Sequence, residues 1–227
     1  MTGVIVFTTI FGASDSLKPA PRGADRCVCF TDRPSRYPDP RGWELVQRSV
    51  TDPRREAWHL RCVPHELFPA YDRSVWVDAS FTMIDLPRLL RDSGSAPIAA
   101  LRHHERDTCY REGRRLVRNR QATPEDIERQ LGDYERAGFA PRHLSISCVI
   151  VRDRSEAVRG FNETWDQQIC TYPGDNTQVS LDYSAWVNGL TIHGLKGTRH
   201  HNPYAQHDHF DHRRRRRPYQ QPKELTQ

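Results

Sequence analysis

An α/β domain is the fold this sequence predicts, on three observations. Short apolar, β-branched runs such as Val4–Thr9, Ser74–Val77 and Ile146–Val151 alternate with stretches of helical period. Two of the helical stretches open on a cap followed by proline, Asp52-Pro53 and Thr123-Pro124. One apolar run, Val75-Trp76-Val77, ends abruptly in a carboxylate, Asp78. Strands end this way at the ligand edge of an open sheet. The 227 residues suit one domain, over 1–212, with a basic tail over 213–227.

In chain order, Val4–Thr9 is the first strand and a Gly/Ser/Asp loop follows it. Cys27–Phe30 is a short buried strand that runs into Asp32, and Trp43–Val46 a third. Asp52 caps a helix reaching about Val63, which Pro64 stops. Ser74–Val77 delivers Asp78. Asp85–Leu90 reads as a short helix and Ile98–Leu101 as another strand. The helix opened by Thr123 carries Ile127, Leu131 and Tyr134 on one face and ends at Gly138. Val158, Phe161, Trp165 and Ile169 form a strong apolar stripe, and Val179, Tyr183, Trp186 and Val187 repeat it. Both tryptophans are therefore expected in the core. Thr191–Gly194 reads as the last strand. Beyond His200 the chain loses periodicity.

Composition narrows the function classes. Hydrophobic residues make up 36% of the chain, and no apolar run approaches the roughly 18 residues a membrane helix needs. No basic, apolar leader opens the chain, so the expected location is cytoplasmic, with no membrane contact. The six cysteines contain no C-x-x-C pair and read as buried thiols. Net charge is +5, and of 34 basic residues only Lys18, Lys196 and Lys223 are lysine. The run Arg213–Arg217 is either a solvated tail or a polyanion contact. Neither a Walker A loop nor G-x-G-x-x-G occurs, so the common phosphate-cradling loops are absent. Asp78 is placed to hold a divalent metal carrying substrate phosphates. Arg55, on the preceding helix, is a phosphate contact or a solvated helix arginine.

Four pieces, taken in order, resemble a known family. They are Val6–Gly12 with Asp15 and Leu17, then Cys29–Asp32 followed by Trp43–Val46, then Val63–Asp72 leading into Trp76–Ser80, and last Gln178–Leu181 with Tyr183 and Trp186. Together they resemble the GT-A-type glycosyltransferase-like proteins that include the plant TOD/MUCI-like hexosyltransferases, with bacterial and phage relatives. The resemblance spans roughly residues 3–212. It implies a GT-A-like single domain, with an open, mostly parallel sheet flanked by helices. It implies a hexosyltransferase using a UDP- or GDP-linked sugar, with a polysaccharide or glycan as acceptor; modified DNA is the acceptor if the basic tail grips phosphates.

By the same resemblance, Thr8, Thr9 and Phe11 line a base pocket, and Asp32 contacts base or ribose. Asp78 stands where GT-A enzymes keep the first carboxylate of a metal-binding D-x-D, and position 80 is Ser80 instead of a second Asp. Gln178 joins the sugar-nucleotide set. Arg106, Tyr110 and Glu112 fall in a segment similar to the family's H-x-x-R-x-C-x-Y-x-E stretch, as acceptor or sugar contacts. Asp175, Asp182 and Glu112 are the candidates for catalytic base. His212, from the cluster His200, His201, His207, His209 and His212, would join Asp78 on Mn²⁺ or Mg²⁺. Competing readings are a nucleic-acid-binding protein, a transferase acting on hydroxylated DNA bases, and a non-catalytic member of the family.

Overall fold

The computed structural model of the protein describes residues 3–12, 14–174 and 176–208. Asp175, His209, His212 and Arg213–Arg217 lie outside the described residues, and so do the expectations placed on them.

The first half runs β1 (Val4–Ile10), β2 (Arg26–Thr31), β3 (Glu44–Gln47), α1 (Pro53–Cys62), α2 (Pro64–Leu67), β4 (Arg73–Val77), β5 (Phe81–Met83) and α3 (Leu86–Ser93). The second runs β6 (Ile98–Arg102), α4 (Cys109–Arg118), α5 (Pro124–Arg136), β7 (Ser145–Asp153), α6 (Glu156–Thr171), α7 (Leu181–Val187), β8 (His193–Leu195) and β9 (Ala205–His207). Seven strands form the main sheet in the order β3-β2-β1-β4-β7-β6-β8, and β5 pairs with β9 beside it. β1, β2, β3 and β4 are parallel, with Phe7 opposite Val28 on one side and Trp76 on the other. β7 is antiparallel to both β4 and β6, and β8 is parallel to β6. Reversing twice restores direction. Every main-sheet strand except β7 therefore ends at one edge, and β7 begins there.

Alternation along the strands divides the core into two faces. Ile5, Phe7, Trp76 and Ile150 pack under α1 and α6 with Leu60, Phe161, Trp165 and Ile169. Val6, Ile10, Val75, Val77 and Val149 pack the other face with Leu86 and Leu89 of α3. A third cluster, around Ile127, Leu131 and Tyr134, joins α4 to α5. The expected caps form: Asp52 Oδ1 accepts from the amides of Arg54 and Arg55, and Thr123 Oγ1 from that of Asp126. Pro64 does end α1, and it also opens α2, because proline at the first helical position loses no hydrogen bond.

Four sequence expectations need correction, the first being that all six cysteines are buried: Cys170, near the end of α6, is exposed and Cys27 is half-buried. Trp165 is fully buried, but Trp186 is 43% exposed. α7 is only two turns long, and its last turn passes the edge of the core instead of lying on it. α4 was not anticipated, because its Gly113 and four arginines mask the period. A Cβ at position 113 would stand 2.8 Å from Ile127 Cγ2, so glycine is what lets α4 and α5 approach. Past His200 the chain regains structure, since β9 pairs Ala205–His207 with Met83–Phe81. Among the described residues no helix is long and apolar enough to cross a membrane.

Candidate functional site

The edge where six strands end gathers most of the polar chemistry. At its β1–β2 end, Asp32 Oδ1 accepts from the Gly12 amide at 3.0 Å. Gly12 has φ +62, and this bond ties the loop after β1 to the loop after β2. Thr8 and Phe11 are nearly inaccessible, and Thr9 is 9% exposed. Phe11 belongs to the core cluster with Phe30 and Phe68. Thr8 Oγ1 is buried and has no hydrogen-bond partner. The structure thus places these three side chains inside the sheet layer, and of the expected base-pocket group Asp32 is the one whose carboxylate stands at the edge.

Asp78 follows β4. Its amide donates to Cys148 O at 2.8 Å, and its carbonyl accepts from the Phe81 amide at 2.9 Å, which makes a tight turn. Its Oδ1 accepts from Arg61 Nη2 at 2.8 Å and from Trp76 Nε1 at 2.9 Å. The side chain is 26% exposed, and Oδ2 has no protein hydrogen bond among the described residues. Arg61 is buried at the C-terminal end of α1, where the helix dipole favours a cation. Its guanidinium lies 4.6 Å from the Trp76 ring, and Nη1 donates to Ser147 Oγ and Thr177 Oγ1. Arg152, fully buried on β7, donates to the Arg61 carbonyl and to Asn162 Oδ1, both at 2.8 Å. It thereby anchors the helix end that carries Arg61. Burial pushes the Arg152 guanidinium down to about 9.

Thr177 is inaccessible and has φ +71, a backbone conformation costly for a β-branched residue. Its Oγ1 meets Arg61 and Ser147, and its carbonyl accepts from Trp165 Nε1 at 2.9 Å. Such over-determined strain gathers at functional sites. One residue earlier, Asn176 donates to Glu112 Oε1 at 3.1 Å. The loop 176–178 therefore joins Asp78's arginine to Glu112.

Glu112 is 1% exposed, and both of its oxygens are occupied. Arg115 donates to Oε1 at 2.6 Å and to Oε2 at 3.0 Å, while Arg106 Nε stands 2.5 Å from Oε2. Burial would raise this carboxyl, but the Arg115 hydrogen bonds and the charges of Arg115 and Arg106 outweigh it and hold the group below the usual range. Arg106 also meets His103 Nε2. Burial, and then the Arg106 charge, push His103 down to about 4. Asp182, on α7, fastens the start of β7: its carboxylate accepts from Ser145 N and Ser145 Oγ, both at 2.7 Å. Burial raises its carboxyl, partly offset by those Ser145 bonds.

The third wall is the segment from Arg199 to Asp208. Asp208 N donates to Ser80 O, and Lys18 pairs with Asp208 Oδ2 at 3.1 Å, so the loops after β1 and β4 and this segment meet. Arg199 stacks 5.8 Å from the Phe81 ring, and its Nη2 donates to His207 Nε2 at 3.2 Å. Burial pushes the Cys148 thiol up to about 12, and after burial the charges felt there include those of Asp78, Arg199 and Arg61.

The divalent ion implied by the resemblance finds a poor donor set here. Asp78 Oδ1 is committed to Arg61 and Trp76, and a guanidinium 2.8 Å away repels a second cation. His207 Nε2 faces Arg199, and position 80 contributes a buried serine. Among the described residues no group of three or more His, Cys, Asp or Glu side chains is placed to hold a metal. The described residues do not fit the ion.

The structure links Asp78 to Glu112 and Arg106 through Arg61, Thr177 and Asn176; Asp32 stands at the same sheet edge just after β2, Ser80 lies in the turn after Asp78, and the Gln178 amide donates to Asn176 Oδ1. It sets two expected residues apart. Arg55 lies near the N-terminus of α1, paired with Asp52 at 3.9 Å, about one and two-thirds turns from Arg61. Tyr110 turns away from Glu112, donating to Phe139 O and lining a cavity of about 400 Å³ between α4 and α5. Sequence reasoning missed Arg61, Ser147, Thr177 and Arg199. One signal for Arg61 was available: it lies four residues after Ala57, on the stripe that α1 buries.

The family described as TOD1/MUCI70, glycosyltransferase-like domain, matches residues 43–171. Among solved structures, the apo bifunctional glycosyltransferase WbbM resembles the chain with a TM-score of 0.46 at 12% identity, over 79% of this chain and 37% of that one. The chain thus spans little more than a third of that protein's length. No curated protein matches the chain.

Proposed function

The chain belongs to the TOD1/MUCI70 glycosyltransferase-like family, and on that premise we propose that it transfers a hexose from a UDP- or GDP-linked donor to an acceptor hydroxyl. The observation that carries the reading is Asp78: a carboxylate delivered to the ligand edge by β4, fixed through Oδ1, with Oδ2 left to accept. A carboxylate so held is preorganised to accept a sugar or ribose hydroxyl, which positions the donor. Asp32, at the end of β2, would meet the nucleoside. In the transfer, the bond between the anomeric carbon and the diphosphate oxygen breaks and its electron pair stays on the diphosphate. The acceptor oxygen forms the new bond, and its proton is released to water. Glu112 and Asp182 are each held by two or more donors and act as piers of the site.

The test is nucleoside diphosphate release from a panel of UDP- and GDP-hexoses, with saccharide and hydroxylated-DNA acceptors. The reading expects one donor to be turned over. Failure of every donor to bind or react would favour the non-catalytic reading.

A further inference from the structure

Resting on that reading, we propose that Arg199 neutralises the donor's diphosphate, in place of a divalent metal on Asp78. The leaving group gains negative charge as the glycosidic bond breaks, and something must stabilise it. Arg199 is suited to the task by position and by what it lacks. It stands over Phe81, the residue that closes the Asp78 turn. Its Nε is buried without a hydrogen-bond partner, its one hydrogen bond is to His207 Nε2, and no carboxylate pairs with it among the described residues. A half-buried guanidinium with no anion is poised for one, and its planar fork matches phosphate oxygens.

The loop that presents it is rigid. Gly197 has φ +91, and a Cβ there would lie 2.3 Å from His201 O. Thr198 N donates to His201 O at 2.8 Å, and Asn202 Nδ2 donates to Thr198 O at 2.9 Å. Such a turn fixes the Arg199 backbone, and Phe81 and His207 hold its guanidinium, so less ordering is left for binding. Arg61 is the positioning residue of the pair. Its donors are committed to Asp78, Ser147 and Thr177, and its charge sits on the carboxylate a metal would need to approach.

Calorimetric titration of the full chain with UDP, GDP and uridine tests this, once in excess EDTA and once with Mn²⁺. The wild type should bind one diphosphate equally under both conditions. Arg199→Gln should weaken that binding about 10- to 100-fold, the range expected for a lost charge-assisted bond, and leave uridine unchanged. Arg199→Lys, which keeps the charge, should recover most of the affinity, and matching melting curves would show that both variants fold. Loss of diphosphate binding in EDTA would overturn the proposal, as would an Arg199→Gln variant of wild-type affinity. Binding of neither UDP nor GDP by the wild type would overturn the proposed function and this inference with it.

Discussion

Asp78 and Glu112 are two carboxylates at the same sheet edge, each beside arginine, and the fold uses them in opposite ways. Asp78 has one oxygen engaged and remains about a quarter exposed. Glu112 has both oxygens engaged by Arg115, Arg106 and Asn176 and is 1% exposed. The difference teaches that an acidic residue at a ligand edge is defined by its unspent hydrogen-bonding capacity. Asp78 is half-finished and offers an acceptor. Glu112 is complete, and holds α4 and the 176–178 loop where Asp78's arginine needs them.

That contrast is broken most severely at the complete carboxylate. Glu112→Gln leaves the largely buried guanidinium of Arg115 without an anion and Arg106 with only Glu105, and should destabilise the fold by about 3–5 kcal/mol. Urea unfolding measures it, and an unshifted midpoint would show that Glu112 is no pier. Arg61→Met should cost less, about 2–3 kcal/mol, because the stranded Asp78 is partly wet. It should also abolish transfer. Asp78→Asn keeps an acceptor for Arg61 and should cost only about 1 kcal/mol. A chemical-denaturation difference as large as that of Glu112→Gln would erase the distinction between the two groups. Trp165→Phe removes the bond to the Thr177 carbonyl and should cost about 1 kcal/mol, seen as a lower Tm.

A pH prediction sharpens the Glu112 side. The folded pKa of His103, about 4, lies below the ordinary 6.5. The unfolded chain therefore takes up the proton first. The stability this group contributes is present above pH about 6.5 and is lost as pH falls toward 4. Tm should drop between pH 7 and pH 5, and His103→Gln should reduce the drop. Equal pH dependence in variant and wild type would assign the effect to other groups.

The sequence showed Asp78 because its signal is local: an apolar run followed at once by a carboxylate. It showed the strand–helix alternation for the same reason, and it placed Asp52, Thr123 and Pro64 at helix boundaries. It did not show what holds Asp78, because Arg61's partners are 17, 86 and 116 residues away. An arginine in a helix reads as solvated until the fold buries it. Glu112 read as a base because its partner Asn176 is 64 residues distant and Gly113 concealed α4. Trp186 was misplaced because a stripe says which side of a helix is apolar, not where the core ends.

The measurement that tests the account most directly is the rate of nucleoside diphosphate release by Asp78→Asn against wild type, with the donor the wild type accepts. The account predicts a loss of about 100-fold or more, the scale of one preorganised polar contact at a reacting centre, with folding retained. Release at the wild-type rate by a folded Asp78→Asn protein would contradict it.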